Sequence, residues 1–393
     1  MKIPQYFHLA FFTVLLTISF FGCNSKKSSE KEQSETGAPH PIQKRFPHQS
    51  HPLHAQLFSV EYKDQTKVVR LKNPFDTTRL LRTYLLVPRG VTPDTSLPEG
   101  QIVRIPLRRV ALSQTTHIGF FDELGLLSVI EGISQKQYVK NQQVIQKITN
   151  GEIIEFGPSH NINVEKLLQV RPDLLFVAPF KDNKYKKVKD VGIPVAVNSS
   201  YMETTPLARA EWIKFISYFF NQEKQADRLF ESITSHYHHI SKLAQQKKHQ
   251  PTIFSGKKIG GIWYVPGGKS YMARFFEDAG AQYLWRGNQE SGSLALGFES
   301  VLYKARDADY WCIIENYDGP YSYARLGSEN IHYKEFEAFH HRNVIFCNTH
   351  RQPYYEEGIL EPDVILADLI SILHPGLLPD HRNKYYKILS QRK

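Results

Sequence analysis

The chain has 393 residues, 41% hydrophobic and 22% charged, enough apolar material for one large core or two ordinary ones and too much for a disordered or collagen-like polymer. Its formal net charge of +10 suits an anionic partner. Only three cysteines, none in a CxxC pair, exclude a disulfide scaffold and a thiolate zinc site.

The chain opens with Lys2, an apolar run from Leu9 to Phe21, and then Gly22-Cys23 before a polar segment. That run is too short to span a bilayer and predicts a secretory signal over residues 1–22. It resembles a bacterial lipoprotein signal, which implies that Cys23 is the lipidated first residue; Phe20 and Phe21 depart from the usual pattern. The expected location is the periplasmic side of the cell envelope, anchored to a membrane through lipid. Export excludes nucleic acid as a partner. Residues 23–56, rich in Ser, Lys, Glu, Gln, Pro and His, read as a solvated tether. Residues 57–106 alternate apolar and polar positions between Pro and Gly breaks, which predicts a small β-rich extension of antiparallel strands.

From Arg109 onward, strand and helix signals alternate. Strands are predicted at 109–113, 130–134, 173–178 and 194–197, and helices at 122–129, 163–170 and 183–191. A second set starts near Thr252, with strands at 252–255, 310–314 and 344–348 and helices at 270–279, 299–305 and 362–373. Such alternation predicts parallel sheets with crossover helices. Between the sets, residues 207–250 lack Gly and Pro and repeat apolar residues at helical spacing, with a break expected at Asn221. The fold class is therefore α/β: two Rossmann-like lobes, at 107–220 and 250–393, bridged by a long rigid helix at 221–249. Cys312 and Cys347 each sit in a buried-strand pattern, and whether they pair stays open.

The halves share a local pattern. Glu165 opens a short helix, with Leu168 three residues later and Asp173 eight later, just before a strand; Glu299, Leu302 and Asp307 repeat the spacing. With Asn163-Val-Glu165-Lys-Leu-Leu-Gln-Val-Arg-Pro-Asp173, Arg109 to His117, Gly268-Lys-Ser-Tyr271 and Pro362-Asp363, residues 109–375 resemble the substrate-binding proteins of iron-chelate and cobalamin ABC importers. The resemblance implies a lipoprotein that captures an anionic, siderophore-like iron chelate between its lobes. It would deliver this ligand to a permease and its ATPase, with Glu165 and Glu299 docking on the permease. Cobalamin, haem and a non-transport surface role are the alternatives.

Ligands of open α/β sheets sit beyond the C-terminal strand ends. That rule nominates His117, Tyr138 and His160 from the first lobe. From the second it nominates Trp263, Tyr264, Lys269, Tyr271, Tyr321, Tyr323, Arg325, Arg351 and Tyr354. Aromatic faces would stack on the ligand and Arg would pair with its carboxylates. His117 and His160 lack an accompanying carboxylate pattern, so no metal site is assigned. There is no nucleophile elbow, HExxH or P-loop, and the Gly256–Gly261 stretch lacks phosphate-loop spacing. The expectation is a monomeric binding protein without catalytic residues or cofactor.

Overall fold

Alternating burial builds the first sheet: in β1 (Phe58–Lys63), Phe58 and Val60 are buried while Ser59 and Glu61 face solvent. β1 pairs antiparallel with β2 (Thr66–Asn73) and β2 with β3 (Asp76–Pro88). β4 (Gln101–Ile105) lies parallel to β3, contrary to the antiparallel expectation, because residues 89–100 carry the chain back along the sheet first. The computed structural model describes residues 45–181 and 185–390. The signal segment, Cys23 and most of the predicted tether lie outside them.

The tether expected to run to residue 56 is already packed at residues 45–56. Phe46, Ser50 and Ala55 are buried. The Glu211 carboxylate accepts the backbone N–H groups of Leu53, His54 and Ala55 at 2.6–2.8 Å, and Glu203 accepts those of Gln56 and Leu57 at 3.0 Å. Composition misled the reading because much of the attachment is made by main-chain N–H groups, with the His48 and Ser50 side chains on Asp227 adding to it.

The first lobe is a five-stranded parallel sheet in the order β7-β6-β5-β8-β9. Its strands are β5 (Val110–Leu112), β6 (Ile130–Ile133), β7 (Ile154–Glu155), β8 (Leu174–Val177) and β9 (Val195–Val197). Four helices connect them: α1 (Ile118–Glu123), α2 (Gln142–Thr149), α3 (Val164–Val170) and α4 (Lys186–Asp190). The helix predicted at 122–129 ends early, since Gly125 adopts φ +66° and breaks it; α1 begins instead at Ile118, directly after His117. Residues 183 and 184 of the predicted helix at 183–191 lie outside the described residues, and α4 occupies its latter part. The extension packs on this lobe's edge strand: the Val197 N–H donates to the Tyr84 hydroxyl at 2.9 Å, and the Gln101 amide donates to the Val195 carbonyl at 3.2 Å.

α5 (Pro206–Ala210) and α6 (Trp212–Tyr218) follow, both almost wholly buried. Asn221, at φ +57°, then breaks the helical path as predicted. α7 (Glu223–Gln245) is 23 residues long, about 34 Å at 1.5 Å per residue. It leads into the second lobe.

The second lobe's main sheet runs β13-β10-β15-β16-β17, from β10 (Thr252–Ser255), β13 (Gln282–Tyr283), β15 (Tyr310–Glu315), β16 (Val344–Asn348) and an antiparallel edge strand β17 (Lys387–Ile388). A small antiparallel sheet, which periodicity did not reveal, joins β11 (Lys258–Ile259), β12 (Ile262–Pro266) and β14 (Ser293–Leu296). The helices are α8 (Tyr271–Asp278), α9 (Phe298–Ala305), α10 (Tyr323–Glu329), α11 (Glu337–His340) and α12 (Pro362–Leu373). One continuous apolar core runs through the extension and both lobes. Among the described residues, no helix is long and apolar enough to cross a membrane.

The lobes repeat one structural device. Asp173, just before β8, accepts the backbone N–H groups of Arg108 and Arg109 at the start of β5. Asp309, just before β15, accepts that of Thr252 at the start of β10. The counterpart of Asp173 is therefore Asp309, two residues beyond the Asp307 that spacing suggested. Cys312 and Cys347 are free and buried on adjacent strands; they face Ile345 and Ile314 rather than each other. Burial pushes both thiols up, Cys347 to about 12.

Candidate functional site: an aromatic cavity between the lobes

Loops leaving β5, β8 and β9 face α8 and the β16–α12 connection across a cavity of about 430 Å³. The first lobe contributes His117, Phe180 and Tyr201, the second Tyr271, Phe275, Tyr354, Tyr355 and Ile359, and α5 adds Arg209 at the back. The walls are thus largely aromatic and aliphatic, with few polar groups, the usual make-up of a small-molecule site.

Arg209 is the only Lys or Arg among these lining residues, which include no Asp or Glu. Thr205 caps α5 through the Ala208 N–H, and Pro206 occupies its first turn, so Arg209 leaves the helix at a fixed angle. Its Nε donates to the Glu203 carbonyl at 3.0 Å and its Nη2 to the Tyr201 carbonyl. The guanidinium lies 3.4 Å from the Tyr271 ring centroid, a stacked cation–π contact. Burial pulls its pKa below the ordinary arginine value. A charge held in an apolar wall with spare donors is a natural contact for an anionic ligand group.

His117 is fully enclosed, and burial lowers its pKa to about 3, so it is neutral at ordinary pH. Among the described residues its Nδ1 has no hydrogen-bond partner, nor do the buried Asn198 Nδ2 and Ser199 Oγ just beyond β9. Unsatisfied buried polar atoms are uncommon in folded proteins; of these, His117 lines the cavity itself.

Of the residues nominated from sequence, His117, Tyr271 and Tyr354 meet in this cavity. The others lie elsewhere. Trp263 is buried in an aromatic cluster with Phe254, Trp311, Tyr333 and Phe336 and donates to the Ser255 carbonyl at 3.1 Å. Tyr323 accepts the Val344 N–H, and Tyr321 stacks on Phe346 at 4.5 Å. These aromatics fill the second lobe's core. Tyr138, His160, Tyr264, Lys269, Arg325 and Arg351 are exposed and line no part of the cavity; Arg325 pairs with Glu329 at 3.4 Å. Phe180, Tyr201 and Arg209 were missed. The strand-end rule applied to β8 and β9 would have found the first two, whereas Arg209 is hidden in a helical stretch. Among the described residues, no group of three or more His, Cys, Asp or Glu is placed to hold a metal ion.

Glu165 and Glu299 are both exposed in the first turns of α3 and α9, helices that lead into β8 and β15. Asn163 caps α3 through the Lys166 N–H at 2.9 Å, whereas Gly297 gives α9 no side-chain cap.

The family model described as periplasmic binding protein matches residues 110–350. An uncharacterized lipoprotein of Methanocaldococcus jannaschii is 28% identical over 304 residues, 73% of this chain and 70% of the relative. Among solved structures, a periplasmic heme binding protein from Pseudomonas aeruginosa superposes with a TM-score of 0.56 at 16% identity, covering 73% of this chain and 99% of that one. A possible iron-binding (periplasmic solute-binding) protein from Staphylococcus epidermidis gives 0.54 at 16% identity, covering 68% and 99%. Likeness at such identities speaks to the two-lobed fold.

Proposed function

The chain belongs to the periplasmic binding protein family, and from that premise we propose that it is the substrate-binding lipoprotein of an ABC importer, capturing an anionic iron chelate in the interlobe cavity. The observation that carries this reading is the cavity's composition: aromatic walls from both lobes around one fixed guanidinium, Arg209. A chelate presents flat or greasy outer surface to such walls and a carboxylate or catecholate oxygen to the arginine. The ligand is cargo, and the protein itself needs no cofactor. Its partners are a permease, engaged through Glu165 and Glu299, and the membrane, through lipid on Cys23. It acts as a monomer on the periplasmic side of the cell envelope.

Absorbance titration of the purified protein with ferric hydroxamate, catecholate and citrate chelates, haem and cobalamin tests this. One chelate should saturate at a one-to-one ratio, and Arg209→Leu should weaken it by at least about tenfold, the loss of one charged hydrogen bond. Saturation by none of the five would remove the reading. The unpaired Nδ1 of His117 favours a second reading, a metal-centred macrocycle such as haem. Haem would then bind with a shifted absorption band that His117→Ala abolishes.

A further inference from the structure

The β16–α12 connection does more than line the cavity. Glu356 lies within it, between Tyr355 and the lining residues Gly358 and Ile359, yet its side chain points away from the ligand space into the other lobe. Its carboxylate accepts the backbone N–H of Lys140 at 2.6 Å and of Asn141 at 2.9 Å, just ahead of α2. The Lys140 ammonium returns the contact, donating to the His350 carbonyl at 2.8 Å. Glu356 is almost wholly buried, at 2% exposure. Beneath it, Gly119 of α1 packs so closely that an added Cβ would lie 2.0 Å from the Glu356 carbonyl oxygen. Backbone of one lobe therefore rests directly on backbone of the other, at a point only glycine permits.

We propose that Glu356 is a positioning residue for the cavity: by gripping the Lys140 and Asn141 amides, it ties the Tyr354–Pro362 wall to the opposite lobe and makes that junction sensitive to pH. The inference rests on the interlobe cavity being the ligand site. The grip is bought with desolvation, and burial, opposed by the two amide hydrogen bonds, pushes the Glu356 carboxyl up to about 7. The charged groups acting on it are Lys140 from the first lobe and Glu357 from the second, and each partner side of the junction carries further charges. Asp122 accepts from the Asn141 side chain, and Lys384 pairs with Glu357 at 2.7 Å and with Glu361 at 2.5 Å. Like-charged Glu357 adds to the rise and Lys140 opposes it.

The direction of the pH effect follows from linkage. With the lobes joined, the carboxyl holds its proton up to about 7; with the junction open, water returns it to an ordinary carboxyl value. Falling pH through that window therefore favours the joined state, by up to about tenfold per pH unit. Rising pH charges a buried carboxylate and loosens the wall.

The test uses the full-length chain with Cys23 replaced by Ser and spin labels at Glu152→Cys and Arg306→Cys, one exposed position in each lobe. Cys312 and Cys347, being buried, stay unlabelled. Without ligand, the mean interlobe distance should be shorter at pH 5.5 than at pH 8.5. Glu356→Gln, which keeps one acceptor oxygen and cannot ionise, should remove that dependence. Gly119→Ala, which wedges the junction without altering any titratable group, should lengthen the distance at both pH values. Chelate affinity should fall about tenfold from pH 5.5 to pH 8 in the parent protein and stay flat in Glu356→Gln. A parent distance that ignores pH, or a Gln variant that follows pH as the parent does, overturns the proposal. Because the distance is read without ligand, failure of every coloured chelate to bind would strike the transport reading and leave this measurement standing.

Discussion

Replacing Lys67 with methionine should lower the unfolding free energy by about 3–5 kcal/mol, the cost of stranding a buried partner charge. Lys67 is fully enclosed where the extension meets the start of α7. Its ammonium is ion-paired with Glu223, itself 6% exposed, and donates to the Tyr218 carbonyl at 2.9 Å and to Asn221 Oδ1 at 2.8 Å. It also lies 4.9 Å from the centroid of the Phe46 ring. Desolvation lowers the lysine pKa, while Glu223 works against that fall. The single substitution leaves a carboxylate, a carbonyl and an amide oxygen facing apolar atoms. A second replacement, Glu223→Leu, should recover much of the loss, since buried pairs exchanged together for apolar groups are often near neutral. Urea unfolding of parent, single and double variants measures both; a Lys67→Met variant within about 0.5 kcal/mol of the parent, the range typical of inconsequential surface changes, would show the pair to be dispensable.

Reversing charge at Glu165 and Glu299 together should abolish ligand uptake in cells while leaving chelate affinity of the purified protein unchanged. Both carboxylates are exposed, in the first turns of α3 and α9, and neither lines the cavity. Stabilisation by the helix dipole accounts for an acidic residue in each first turn and is worth only about 0.3–1 kcal/mol. Loss of a hydrogen-bonded charge pair in a docked interface costs on the order of 2–5 kcal/mol, and a reversed charge adds repulsion. Two such losses would leave too little docked complex to support transport. Uptake at the parent level in the double reversal would remove the docking role and leave the dipole as sufficient reason for both residues.

Much of the fold was legible because it is written in period and punctuation. The alternation from Arg109 onward, the break at Asn221 and the helix starts at Asn163, Ser270 and Pro362 are local signals, and the predicted strands and the helices at 163–170, 270–279, 299–305 and 362–373 formed within a residue or two of their expected places. The early end of α1 at Gly125 and the small β11-β12-β14 sheet were not legible. The first turned on a positive φ that glycine permits without announcing, and the second on strands of two to five residues that leave little periodic trace.

The site was less legible, for a physical reason. Aromatic residues serve equally well as core and as ligand platform, and sequence does not say which side of a strand end they take. Trp263 and Tyr323 went into the second lobe's core, whereas Tyr271 and Tyr354 reached the cavity. Sequence by itself determined the family, the two α/β halves, the bridging helix and the matched glutamates, because these depend on local order along the chain. Only the tertiary structure decided that the cation lining the interlobe cavity is Arg209 rather than Arg325 or Arg351, that residues 45–56 pack on the fold with the main-chain amides of 53–57 gripped by Glu211 and Glu203, and that Glu356 reaches across to the other lobe. Each of those depends on which distant groups share a desolvated space, and burial, which sets the strength of a charge or a hydrogen bond, exists only once the chain has folded.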